Sequence, residues 1–185
     1  MTPLDALESQ SIYILREAHS RIDRLAMLWS LGKDSNVMVS LARKAFFGHV
    51  PFPVMHVDTE KKFPEMYDFR DRYTKEWNLD LTVRTCPPVE EMDPRGEGNV
   101  WDFRNQPPEF WDQFRTDLPP GCHLRVHPLL HWSELDVWRY IKRENIPIVD
   151  LYFARDGMRY RSLGDKDITS PVASNASTID EIIAE

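Results

Sequence analysis

The sequence predicts an α/β fold, a doubly wound and mostly parallel sheet with a small C-terminal extension. Short apolar runs alternate with segments of helical periodicity, the pattern of right-handed βαβ crossovers. A glycine-containing turn joins the first run to the helix after it, where an open α/β sheet places its ligands. With 42% hydrophobic and 29% charged residues the composition is globular, and no apolar run approaches the roughly 20 residues of a membrane helix.

The elements follow in order. Leu4, Leu7, Ile14, Leu15, Ala18 and Ile22 recur at helical spacing and predict an amphipathic first helix. Leu25 to Trp29 is a continuous apolar run, suited to a parallel strand covered on both faces. After the turn at Ser30-Leu31-Gly32, Val37, Met38, Leu41, Ala42, Ala45 and Phe46 give a second helical stripe, with Gly48 as its stop signal. Val54 to Val57 predicts a strand, Phe63 to Trp77 a helix and Leu79 to Val83 a third strand. Val126 to Leu130 fits a further strand, and Ser133 with Asp136 forms a capping-box-like pair opening a helix that presents Leu135, Val137, Trp138 and Ile141 and ends before Pro147. A last short helix follows Ser177, with Asp180 three positions on. Between Cys86 and Leu124 the rhythm fails; the one helical fragment there is Pro108 to Phe114.

The 185 residues suit one α/β domain and an appendage. Acidic residues exceed basic ones, 30 against 23, which argues against a surface built for polynucleotide and leaves a local anion site open. The residues from Met1 to Asp23 carry charges throughout and lack a signal-peptide core. The two cysteines, Cys86 and Cys122, form no Cys-x-x-Cys, so the chain reads as reduced and cytoplasmic. Half of the 14 prolines lie between Cys86 and Gly121.

The chemistry sits in Ser30-Leu31-Gly32-Lys33-Asp34-Ser35. A glycine lets backbone approach an anion, helix amides point at it, and Lys33 with the Ser30 and Ser35 hydroxyls adds donors, so phosphate is the natural guest. A solvated turn with an N-capping serine is the competing account of the loop taken alone. It is not a Walker A loop, which needs a glycine where Met27 stands and a hydroxyl residue where Asp34 stands.

The loop matches the Ser-x-Gly-Lys-Asp-Ser signature of the PP-loop ATP pyrophosphatases. Together with His56-Val57-Asp58-Thr59, Phe69-Arg70-Asp71, Trp101 to Gln106, Pro128 to Trp138, Glu144 to Pro147, Leu151-Tyr152-Phe153 and Arg161-Ser162-Leu163-Gly164, it resembles the small subunit of heterodimeric sulfate adenylyltransferase over nearly the whole chain. The resemblance implies an adenine nucleotide α-hydrolase-like fold, with a PP-loop domain over residues 1–145 and an extension over 146–185 that completes the site and contacts a partner. It implies transfer of AMP from ATP to sulfate, giving adenosine 5′-phosphosulfate and pyrophosphate. Carried over residue by residue, Ser30, Leu31, Gly32, Lys33, Asp34 and Ser35 would bind the β- and γ-phosphates, with Mg²⁺ bridging them as part of the ATP complex and no tightly bound cofactor or protein metal site. Asp58 and Thr59 lie at the adjacent strand end, where a carboxylate meets ribose or a metal's water. Lys33, Arg159 and Arg161 are the catalytic candidates, the arginines because guanidinium forks match tetrahedral oxyanions. A GTPase large subunit is the implied partner, because formation of the mixed anhydride is uphill.

Other residues carry plainer readings. His56 either approaches substrate or packs as a buried hydrogen-bonded residue. His127 and His131 are separated by Pro128, so no helix places them on one face. Trp101, Trp111, Trp132 and Trp138 fit core or interface packing better than adenine stacking. Lys62 belongs to a solvated helix start or reaches phosphate. The stretch Ala173 to Glu185 has no cysteine nucleophile of the kind phosphoadenylyl-sulfate reductases use. One departure stands out: the resembled family carries a further helix and strand and a Gly-x-Arg-Arg-Asp-Glu-Glu signature where this chain runs from Met92 through Pro94-Arg95 to Asn99 and on to Trp101. Either a longer native chain carries that unit, or the shortened one is a nucleotide-binding scaffold subunit with little catalysis.

Overall fold

The computed structural model describes residues 2–85 and 124–185. Residues up to Thr85 and Val126–Glu185 form one compact unit. Its first helix, α1 (Pro3–Arg21), starts on a capping box in which the Thr2 hydroxyl accepts from the Asp5 amide and the Asp5 carboxylate from the Thr2 amide. Then come β1 (Met27–Leu28), α2 (Lys33–Ala45), β2 (Val54–Asp58), α3 (Pro64–Glu76) and β3 (Leu81–Thr85). The three strands form a parallel sheet in the order β1-β2-β3, with Met27 opposite Val54 and Asp58 opposite Thr85. This is the predicted α/β arrangement, and it sets the carboxyl ends of β1 and β2 side by side.

Several elements differ from expectation in detail. The first strand is shorter than Leu25 to Trp29, although the Trp29 amide still donates to the Met55 carbonyl at 2.8 Å. Its covering is one-sided: Met27, Val54 and His56 are buried while Leu28 and Val57 are exposed. The third strand lies two residues later than predicted, because Leu79 is used to close α3, its amide donating to the Thr74 carbonyl at 2.9 Å. Helix α2 ends on a Schellman bond from the Gly48 amide to the Arg43 carbonyl at 2.7 Å, with Phe47 (φ 56) in the left-handed position ahead of Gly48 (φ 102).

The predicted strand at Val126 to Leu130 is not one. Pro128 has no amide to give a ladder, and the segment turns instead, the Leu130 amide reaching the His127 carbonyl and the Trp132 amide the Leu129 carbonyl. Its anchor is Ser11, fully buried on α1, whose hydroxyl donates to the Pro128 carbonyl at 2.7 Å and accepts from the Trp132 indole at 3.0 Å. Helix α4 (Glu134–Glu144) carries the predicted Ser133/Asp136 box and ends on Asn145 (φ 50). It buries Val137, Trp138, Tyr140 and Ile141, whereas Leu135 is exposed. A 3₁₀ turn at Asp150–Tyr152, the antiparallel pair β4 (Met158–Arg159) and β5 (Val172–Ala173), and α5 (Ile179–Ala184) complete the unit. The cap of α5 is Thr178 with Glu181, one residue beyond the predicted Ser177 with Asp180.

Strands and helices share one core, in which Trp29, Val54, Val37, Leu41, Met66, Trp138 and Tyr152 meet. Trp29, Phe69, Tyr73 and Trp77 form its aromatic edge. At the surface Lys44 of α2 bridges Glu8 of α1 and Glu144 of α4, tying three helices. No helix among the described residues is long and apolar enough to cross a membrane. The expected fragment at Pro108 to Phe114 lies outside the described residues.

Candidate active site

The chain leaves β1 at the carboxyl edge of the sheet and crosses it through residues 29–32 before α2 begins. Trp29 fixes the start, its indole donating to the Asn36 side-chain carbonyl at 2.7 Å. Leu31 takes φ 69 and is fully buried, so packing holds a bulky residue in a conformation it would otherwise avoid. Gly32, at φ −74 and ψ 164, lies where any residue can lie. A Cβ on it would sit 3.5 Å from both the Ser30 and Tyr152 hydroxyl oxygens, an ordinary contact. Neither backbone nor neighbours therefore demand glycine; its missing side chain leaves a cradle before the first turn of α2. That turn has no capping side chain, so its amides remain available to an anion, apart from that of Lys33, which donates to the Tyr152 hydroxyl at 2.9 Å. The Ser30 hydroxyl donates to that of Ser35 at 3.2 Å, which donates to the Gly32 carbonyl at 2.9 Å.

The Lys33 side chain is buried but not isolated. Its ammonium donates to the Arg161 carbonyl at 3.2 Å and lies 3.5 Å from the Glu134 carboxylate and 3.7 Å from Asp34. The Arg161 guanidinium grips the same carboxylate, Nη2 at 2.6 Å and Nε at 3.1 Å. The Arg161 hydrogen bonds, with the charges of Lys33 and Arg161, hold the Glu134 carboxyl below its ordinary range against the opposing effect of partial burial. Burial pushes the Tyr152 hydroxyl up, so it stays protonated. Lys33, Asp34, Glu134 and Arg161 line a cavity of about 360 Å³ walled by Leu129, Trp132 and Val137.

A second group stands at the end of β2. Burial raises the Asp58 carboxyl, but the Glu60 amide and Tyr67 hydroxyl, each at 2.8 Å, and Arg70 at 3.3 Å outweigh it and hold the group low. Thr59 donates to Asp165 at 2.5 Å and Lys62 to the same oxygen at 2.6 Å, latching the C-terminal segment to the β2–α3 loop. Lys62 is thus committed to a carboxylate.

Of the predicted residues, the structure brings Lys33, Asp34 and Arg161 onto one cavity, with Ser30 to Ser35 opening α2 beside it. Arg159 is not among that cavity's lining residues; its side chain is buried against Glu185 at 2.7 Å and Ser174 at 3.1 Å. His56 is fully buried, with Nδ1 donating to the Trp29 carbonyl at 2.9 Å, and desolvation lowers its pKa. That is the packing role of the two considered. Trp132 and Trp138 meet Tyr140 and Tyr152 edge to face; Trp101 and Trp111 lie outside the described residues. Among the described residues no three His, Cys, Asp or Glu side chains gather as a metal site. Sequence reasoning gave no site role to Glu134, Tyr152 or Asp165, although the first two fall within the quoted motifs.

The family profile of the phosphoadenosine phosphosulfate reductase domain matches residues 24–115 and 90–171. "Sulfate adenylyltransferase subunit 2" of Allorhizobium ampelinum is 35% identical over 263 aligned positions that take in 98% of this chain and 83% of that one. Its counterpart in Pseudomonas aeruginosa is 34% identical, covering 100% and 88%. The chain belongs to the sulfate adenylyltransferase subunit 2 family. The family alignment is far longer than the 185 residues present, so these relatives carry residues with no counterpart here.

Solved structures agree on the fold. The phosphoadenylyl-sulfate reductase of Candida auris superposes with a TM-score of 0.59 at 17% identity, over 92% of this chain and 98% of that one. The FMN adenylyltransferase of Candida glabrata, in complex with FAD and inorganic pyrophosphate, gives 0.62 at 20% identity, over 91% and 67%.

Proposed function

We propose that this chain is the adenylylating subunit of a sulfate adenylyltransferase, moving AMP from ATP to sulfate with release of pyrophosphate. The observation that carries this reading is the uncapped first turn of α2, fronted by Gly32 and flanked by Lys33, in a chain of this family. A sulfate oxygen attacks the α-phosphorus in line as pyrophosphate leaves, so positioning and charge stabilisation supply most of the catalysis. Residues Ser30, Leu31, Gly32, Lys33, Asp34 and Ser35 hold the β- and γ-phosphates. Mg²⁺ would come with ATP as part of the substrate complex and neutralise phosphate charge, and Asp34, which lines the cavity, would be the carboxylate to hold it there. Asp58 and Thr59 mark the ribose side.

Arg161, on the same cavity as Lys33, is the arginine assigned to the sulfate end in preference to the Glu185-bound Arg159. The extension from residue 146 supports the site through Tyr152 and Arg161 and is the part assigned to a GTPase large subunit, which drives the uphill step. The setting is cytoplasmic.

The missing family segment near Pro94 favours a second reading, a nucleotide-binding scaffold subunit with little catalysis. Pyrophosphate release from ATP, with and without sulfate and with and without the GTPase subunit, decides between them. Sulfate-dependent release in the complex is expected; nucleotide binding without such release would leave the scaffold.

A further inference from the structure

Glu134 is the first residue of α4 and faces the cavity between the two cations assigned to anionic substrate groups. Its carboxylate lies 3.5 Å from the Lys33 ammonium and 2.6 Å from Arg161 Nη2. The Lys33 side chain is 8% exposed and that of Arg161 69%. A buried ammonium without a partner is costly, so Lys33 needs a counter-charge whenever no phosphate neutralises it. Arg161, largely in solvent, can leave Glu134 for an incoming oxyanion at little cost.

We propose that Glu134 is an internal counter-ion of the phosphate site: a positioning residue that holds Lys33 and Arg161 between turnovers, competes with pyrophosphate for them, and so speeds product departure. The proposal rests on the phosphate-site reading above. It involves exchange of ion-pair partners only, with no bond made or broken.

The test is the affinity of the full chain for inorganic pyrophosphate, measured by calorimetry. Glu134→Gln keeps the side chain's shape and removes its charge, and is expected to bind pyrophosphate roughly fivefold tighter, the scale of one partly exposed charge contact. Its affinity should also fall more steeply with added salt, because the ligand then meets Lys33 and Arg161 without the Glu134 charge competing for them, Lys33 keeping only Asp34 at 3.7 Å as a nearby carboxylate. Glu134→Asp retains the charge and should return affinity towards the wild-type value, which a purely structural role would not predict. Unchanged or weaker binding by Glu134→Gln overturns the proposal. Lys33→Ala separates the two levels: if it weakens pyrophosphate binding while Glu134→Gln fails to strengthen it, only the counter-ion role is lost. If Lys33→Ala has no effect, the phosphate site itself is lost and the proposal with it.

Discussion

In the loop after β1 the left-handed conformation falls on Leu31, while Gly32 lies in extended backbone, so what the loop uses at position 32 is the glycine's size rather than its freedom. The two properties make opposite demands on a methyl group. Gly32→Ala adds ordinary contacts at 3.5 Å and restricts the unfolded chain, which leaves stability unchanged or raises it by about 0.5 kcal/mol. The same methyl stands where a phosphate oxygen must approach the amides of α2, so ATP affinity should fall by at least about tenfold. Chemical denaturation and calorimetry on the one variant check both halves. A variant that binds ATP normally would show that the cradle is not the phosphate site, and one that unfolds early would show that the fold does require glycine.

Helix α4 shows what a single cap is worth. The Ser133 hydroxyl accepts from the Asp136 amide at 3.2 Å and the Asp136 carboxylate from the Ser133 amide at 3.0 Å, and the helix they start carries Glu134, Val137, Trp138 and Ile141. Ser133→Ala should cost about 1 kcal/mol, read as a lower denaturation midpoint with unchanged slope. A neutral result would mean that burial of Trp138 and its neighbours sets the helix start. This cap was legible in sequence because its partners are three residues apart. The α5 cap was legible to within one residue, since Ser177/Asp180 and Thr178/Glu181 both fit the pattern and only geometry shows Glu181 accepting from the amides of 177 and 178. The extent of β1, the position of β3 and the turn at Pro128 were not legible, because neighbouring elements decide them. The site divides the same way: the loop from Ser30 to Ser35 is a local signal, whereas Tyr152 meets Lys33 from 119 positions away and Glu134 meets Lys33 and Arg161 only once α2, α4 and the extension have packed.

At the scale of the whole molecule, the buried polar pair on β2 gives folding a defined pH dependence. His56 is fully buried, and desolvation keeps its folded pKa below the ordinary 6.5, the Trp29 carbonyl and Asp58 only partly opposing this. Asp58, two residues on, sits below its ordinary 3.8 because the Glu60 amide, Tyr67 and Arg70 overcome its burial. In each case the unfolded chain takes up a proton more readily than the folded one, so stability is fully present above the unfolded pKa and is lost as pH falls. His56 begins to withdraw stability just below pH 6.5, whereas Asp58, with Asp165 and Glu134, acts only in the carboxylate range beneath it. The denaturation midpoint should therefore begin to fall gently below about pH 6.5 and fall more steeply once the pH enters the carboxylate range, at about 4. His56→Gln isolates the first phase. Whatever its stability at neutral pH, it should show a flatter curve than the wild type as pH falls below about 6.5, the two curves being parallel at higher pH. Curves that stay parallel throughout would mean that His56 titrates alike in folded and unfolded chains, and that its burial against the Trp29 carbonyl does not keep it neutral.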